Sequence, residues 1–188
     1  MKRMMVCAAA AALALGGCAG DRQEEGPLAA VPLGPSAASA DLMDASGRIV
    51  ARASAEEAGE GVRLRIEAAG LPAGAYGAHV HTTGRCDAPA FTTAGPHWNP
   101  TGQQHGKDNP AGMHKGDLPN LLVGADGQGS FEYTVLGAAI GGPATAMMDG
   151  DGAAVVIHQR ADDYRTDPSG NSGDRIACGV LGSPPGRS

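Results

Sequence analysis

Gly77-Ala78-His79-Val80-His81 alternates small or apolar residues with histidine. On a β-strand, residues two apart share a face. The stretch therefore predicts a strand with both imidazoles on one side and Ala78 and Val80 against a core. Working outward, Ala153-Ala154-Val155-Val156-Ile157-His158 is a second apolar run that ends in histidine, and it also reads as a strand. His97, His105 and His114 lie between the two in a Gly-, Pro- and Asn-rich stretch that reads as one long loop. Loops of that length inside a compact domain are functional or disordered. Three histidines, with Asp117 three residues after His114, give this one a reason to be ordered. The chain has 6 histidines in 188 residues, and all of them belong to this arrangement.

Imidazole suits both copper and zinc, and a carboxylate can complete a zinc tetrahedron. The three loop histidines with Asp117 make a closed four-ligand zinc set. The two strand histidines with His158 make a three-imidazole set that lacks a fourth ligand. One loop histidine, shared as a bridging imidazolate, can supply it.

Around these residues the chain resembles the copper-zinc superoxide dismutases. The matching blocks are Gly77-Ala78-His79-Val80-His81, Ala94-Gly95-Pro96-His97-Trp98-Asn99-Pro100 and His114-Lys115-Gly116-Asp117-Leu118-Pro119. They continue with Val155-Val156-Ile157-His158-Gln159-Arg160-Ala161-Asp162-Asp163 and Gly170-Asn171-Ser172-Gly173-Asp174-Arg175-Ile176-Ala177-Cys178-Gly179-Val180. A lone His-x-His carries little information; five blocks in the family's order carry every ligand type.

The resemblance implies roles residue by residue. His79, His81 and His158 match the copper ligands, and His97 matches the bridge between copper and zinc. His105, His114 and Asp117 match the remaining zinc ligands, with one copper and one zinc per subunit. Asp162 matches a carboxylate that joins His79 to His105, a role that fixes ring orientation and tautomer. Arg175 matches the arginine beside copper that attracts and orients superoxide, as a permanently charged forked donor would. The implied activity is disproportionation of superoxide to dioxygen and hydrogen peroxide at a redox-cycling copper, with His97 taking up a proton when the bridge opens. The alternative is a non-enzymatic periplasmic copper- and zinc-binding protein on the same fold. Retention of all four copper imidazoles and Arg175 favours the enzyme. Two departures stand out: Thr82-Thr83 follow His81 where many members carry glutamate, and the segment from His158 to Arg175 is rich in aspartate and lacks lysine.

The 4 cysteines are Cys7, Cys18, Cys86 and Cys178. Met1-Lys2-Arg3, an Ala/Leu-rich run and Leu15-Gly16-Gly17-Cys18 read as a lipoprotein signal peptide over 1–17 with Cys18 as the lipidated residue. Cys7 then leaves with the leader, and Cys86 and Cys178 remain as one pair in an oxidising compartment. The resemblance implies that they form a disulfide. It would close a loop of about 90 residues, worth on the order of 4 kcal/mol in the chain-entropy picture. Residues 18–35 read as the lipidated cysteine and a flexible Pro/Gly-broken tether to a membrane. The expected location is the periplasmic face of a bacterial envelope, as an outer-membrane lipoprotein.

The rest predicts one all-β domain over 36–183, with a short tail at 184–188. Strands are expected near 36–44, 48–55, 62–68, 76–82, 118–124, 129–136, 153–158 and 176–181, with Asp126-Gly127 as a hairpin turn. Eight short strands and no convincing helix predict a barrel or sandwich. The family's fold is an eight-stranded Greek-key β-barrel with a long metal-binding loop and an active-site loop. Aromatic residues are scarce, so Val, Ile, Leu and Ala must fill the core. Loss of Lys2 and Arg3 removes two positive charges from a formal charge already at −6. An acidic body repels an anionic substrate, so positive charge must be concentrated at the copper mouth. Arg175 is the chief candidate, with Lys107, Lys115 and Arg160 as possible helpers. The acidity gives no support for nucleic-acid binding. Monomer and homodimer both remain open.

Overall fold

The computed structural model describes residues 36–142 and 146–182. The leader, Cys18, the tether and the tail lie outside them. All described residues belong to one compact unit, Pro32–Ser188.

Nine strands form: β1 (Ala37–Asp44), β2 (Ile49–Ala58), β3 (Gly61–Ala69), β4 (Gly74–Tyr76), β5 (Ala78–His81), β6 (Leu121–Val123), β7 (Gln128–Leu136), β8 (Ala154–His158) and β9 (Arg175–Val180). The only helical turn among the described residues is a 3-10 turn at Thr92–Ala94. Seven strands make one curled antiparallel sheet in the order β5-β8-β9-β1-β2-β3-β7, and β4 pairs with β6 separately. The β4–β6 ribbon links the two edges of the large sheet through the chain itself. β4 runs into β5 at Gly77, and β6 turns into β7 at Asp126-Gly127, where Gly127 has φ 77° and the Gly124 N–H donates to Gln128 O.

The expected eight strands become nine because the 76–82 segment divides at Gly77. The Gly77 N–H donates to Arg160 O, and its carbonyl accepts the His158 N–H. A Cβ at this position would lie 2.9 Å from the Ser172 side chain. The glycine thus lets the chain leave one partner strand for another while a second loop packs on it.

The interior is filled by Leu42, Val50, Val62, Leu64, Ile66, Leu121, Ile140, Val155 and Ile157, with alanines between them. Complete burial of one such aliphatic side chain is worth about 1.5–3 kcal/mol. Strands β5 and β8 are buried on both faces, which explains why their sequences run without polar breaks. Ala78, Val80, Val155 and Ile157 point into the barrel. Their neighbours Ala154 and Val156 pack outside it, against Phe91, Ala94, Cys178 and Cys86. His79, His81 and His158 share that outer side and are sealed from water by the long loops.

Candidate metal centre

The loop from Thr82 to Asn120 reaches the histidines by lying along the open edge of β5. The Val80 N–H donates to Gly116 O, and the Trp98 N–H donates to Val80 O. A third bond, from Gly116 N–H to Trp98 O, ties the two loop segments together. Gly116 permits this approach, since a Cβ there would run into Val80 O. The arrangement sets His97 beside His81 and Asp117 beside His79, as isolated bridges record. The Cys86–Cys178 disulfide, with a Cα–Cα distance of 5.6 Å, pins the start of the same loop to β9.

Two ligand sets result. Ring nitrogens of His79, His81, His97 and His158 lie within 4.8 Å of one another. Each of the four residues has a buried ring nitrogen with no hydrogen-bond partner: His79 Nδ1, His81 Nε2, His97 Nε2 and His158 Nε2. An orphaned buried polar atom costs about 1–3 kcal/mol, so four gathered at one place fit a metal ion. Their other nitrogens are occupied: His79 Nε2 by Asp162 Oδ2 at 2.8 Å, His81 Nδ1 by Gly95 O at 2.8 Å and His158 Nδ1 by Gly173 O at 3.2 Å.

The second set gathers on Asp117 Oδ1, which lies 2.9 Å from His97 Nδ1, 3.0 Å from His105 Nδ1 and 3.1 Å from His114 Nδ1. The edges of a tetrahedron with ligand bonds of about 2 Å are about 3.3 Å long, so these atoms fit zinc. Asp117 Oδ2 is fixed by the N–H groups of Gly106 and His114. His79 also falls within 4.8 Å of His97, His105 and Asp117, but Asp162 already holds its Nε2, so His114 is the better fourth member. His97 belongs to both sets, one through each ring nitrogen.

The copper/zinc superoxide dismutase family matches residues 45–181.

The chain belongs to the copper/zinc superoxide dismutase family.

It is 40% identical over 148 residues to superoxide dismutase (Cu-Zn) 2 of Aquifex aeolicus, covering 77% of this chain and 85% of that one. It is 38% identical over 147 residues to superoxide dismutase (Cu-Zn) of Caulobacter vibrioides, covering 77% and 84%. The crystal structure of a SOD-like protein from Bacillus subtilis superposes with a TM-score of 0.72 at 40% identity, covering 76% of this chain and 97% of that one.

Within this family member the electrostatics of the first set suit ligation, which requires neutral imidazole. Burial, reinforced by His97, pushes His79 down to about 3. Burial likewise takes His158 down to about 4 and His81 well below its ordinary value. His97 is also lowered by burial, against the pull of Asp117. His105 goes the other way. Burial lowers it, but hydrogen bonds to Asp117 and Asp162 outweigh that and raise it to about 9. Burial alone would raise the Asp117 and Asp162 carboxyls; the histidines bonded to them hold both well below the usual carboxylate range.

Asp162 spans the two sets, with Oδ2 on His79 Nε2 and Oδ1 3.0 Å from His105 Nε2. Residues given no role in the sequence reading hold it there. The Asn120 side chain accepts the Asp162 N–H at 2.8 Å and donates to Asp162 O at 2.9 Å. Gly170, with φ 63°, lets the loop close over the pair. Asparagine and glycine are common in loops, and only their long-range partners mark these two.

Arg175 is half-buried, and its Nη1 and Nη2 donate to Phe91 O and Gly95 O, each at 2.7 Å. It lines a cavity of about 460 Å³ together with His81, His97 and His158. None of Lys107, Lys115 and Arg160 lines it. Lys107 lies over the Tyr164 ring, Lys115 donates to Leu136 O, and Arg160 donates to Asn171 O. The aspartates of the active-site loop are largely structural: Asp163 caps a turn, and Asp167 Oδ1 accepts the His105 N–H at 2.7 Å.

Proposed function

We propose that this protein is a superoxide dismutase, converting two superoxide anions and two protons to one dioxygen and one hydrogen peroxide. The observation that carries this reading is the convergence of four orphaned imidazole nitrogens, three of them on residues (His81, His97 and His158) that line a cavity whose wall also holds Arg175. His79, His81, His97 and His158 would hold copper, and His97, His105, His114 and Asp117 would hold zinc. When bound, copper supplies one-electron redox chemistry, and zinc, which has none, holds the bridge in place.

The chain's own groups do the rest. Arg175 stays charged at every relevant pH. It has five N–H donors and spends two of the groups that carry them on loop carbonyls. The remainder can receive a small anion inside the cavity. His97 Nε2 is the atom placed to hold a proton beside that anion, while His97 Nδ1 stays with Asp117. Asp162 keeps His79 and His105 in fixed orientations. The non-enzymatic alternative is less favoured, because metal storage has no use for a charged guanidinium in the cavity wall.

The deciding experiment loads the chain with copper and zinc, counts both metals and follows superoxide decay directly. One copper and one zinc per chain with accelerated decay supports the enzyme. Both metals without acceleration support storage.

We further propose that the chain is exported, with a domain at 36–183 carried on residues 18–35 and anchored by lipid at Cys18. The Leu15-Gly16-Gly17-Cys18 sequence and a disulfide suited to an oxidising compartment support this. Labelling with a fatty acid that disappears in Cys18→Ser tests the anchor.

A further inference from the structure

His97 forms part of the wall between two cavities. The first is the Arg175 cavity, which touches none of His105, His114 and Asp117. The second, of about 490 Å³, lies on the other side and is lined by His97 and His114. Pro96 and Pro168 belong to the partition as well. Within the Asp117 set, the His105 side chain is fully sealed and Asp117 is 2% exposed, while His114 is 9% exposed. His114 borders the second cavity and also a smaller one of about 150 Å³ beside Lys115; of these two openings, the second cavity is the larger and the one lined by carboxylates.

The two cavities differ in charge. Among the described residues, the first is lined by Arg175 and by no carboxylate. The second is lined by Asp149 and Asp167, with side-chain amides from Asn99, Gln103 and Gln104, and among the described residues by no lysine or arginine. A guanidinium attracts an anion and repels a metal cation; carboxylates do the reverse, and a low-dielectric cleft concentrates either field. One site thus has two mouths of opposite sign.

We propose that the second cavity is the port through which zinc reaches the His97, His105, His114 and Asp117 set, separate from the cavity that superoxide uses. The proposal rests on the ligand assignment above. It adds that the two kinds of traffic are segregated by charge, with His97 as part of the shared wall. Asp149 is exposed, and among the described residues its carboxylate bonds only within its own turn, to the Asp151 N–H, so its charge can be changed without touching a proposed ligand.

The test follows zinc uptake by the metal-free full chain in stopped flow, using competition with a chromogenic zinc indicator. Asp149→Lys should slow zinc association about three- to tenfold at low ionic strength, and the gap should shrink as salt is added. Gln103→Trp, which narrows the same cavity without changing charge, should slow zinc at every ionic strength. Copper association should be unchanged in both. Asp174→Lys reverses a charge on the Arg175 side and should leave zinc uptake at the parent rate. Unchanged zinc rates in both port variants would overturn the proposal, as would equal slowing in Asp174→Lys. One zinc per chain at equilibrium keeps the ligand assignment standing in either case. Failure of the parent chain to bind zinc would remove that assignment and the port with it.

Discussion

Arg175 and His81 are tied to the same oxygen. Gly95 O accepts Arg175 Nη2 at 2.7 Å and lies 2.8 Å from His81 Nδ1. A ring whose Nε2 is left unpartnered and the guanidinium in the cavity wall are thus positioned from one carbonyl. Gly95 has φ 75°, and a Cβ there would lie 2.8 Å from Thr82 Oγ1. The backbone at this point is set by glycine, and the geometry of the cavity follows from it.

Arg175→Ala should lower the second-order rate with superoxide by about tenfold or more and flatten its decline with ionic strength, since the cavity wall then carries no positive side chain. Arg175→Lys should restore part of the salt dependence but less of the rate, because an ammonium cannot reproduce the two-carbonyl fork. A rate and salt slope unchanged in Arg175→Ala would refute the role given to this residue.

Asp162→Ala removes the group that orients one ring from each ligand set. Loss of such a partner typically costs about 10–100-fold in metal affinity. Competition between the protein and a zinc chelator of known affinity measures the effect. Equal affinity in parent and variant would show that His105 needs no such support.

Gly170→Ala tests the closure of the active-site loop. A Cβ there would overlap the Asp162 carboxylate and approach His105 Nε2 to 2.7 Å, at a backbone φ of 63°. The metal-free variant should lose on the order of 1–3 kcal/mol in denaturant unfolding. Its zinc affinity should fall in parallel, since Asp162 cannot hold both rings once displaced.

Asp163 gives a pH dependence. Hydrogen bonds led by the Thr166 hydroxyl, with the N–H groups of Thr166 and Arg165, lower its carboxyl to about 2. The unfolded value is about 3.9. A carboxyl depressed on folding contributes stability above its unfolded pKa and loses it as pH falls through the folded one. Acid unfolding of the metal-free chain between about pH 4 and pH 2 should therefore be less steep in Asp163→Asn than in the parent. Identical acid transitions would show that the turn does not depend on this charge.

Much of the site was legible because its chemistry is written at short range. The two-residue spacing of His79 and His81 puts both on one face in any strand, and the uninterrupted apolar run before His158 marks a strand buried on both sides. The pairing of Cys86 with Cys178, expected from the family's pattern, is present. The roles of Asn120, Gly95 and Gly170 were not legible. Each is an ordinary loop residue whose partner lies 14 to 80 positions away or in a loop of its own, and no local pattern distinguishes it. The three cations named as helpers do not line the cavity, for a related reason. Lys107, Lys115 and Arg160 are near the ligands in sequence, yet their side chains lie over a ring or against carbonyls outside the cavity.

The amino-acid sequence by itself determined the histidine and aspartate inventory of the candidate centre, the strand faces that carry three of the histidines and the family to which the chain belongs. These follow from residue type and from a periodicity of two. Only the tertiary structure decided which nitrogen of each ring is free, that His97 forms part of the wall between cavities of opposite charge, and that Arg175 is the one cation at the first of them. Those properties depend on where distant loops come to rest, and burial and hydrogen bonding across the fold set that.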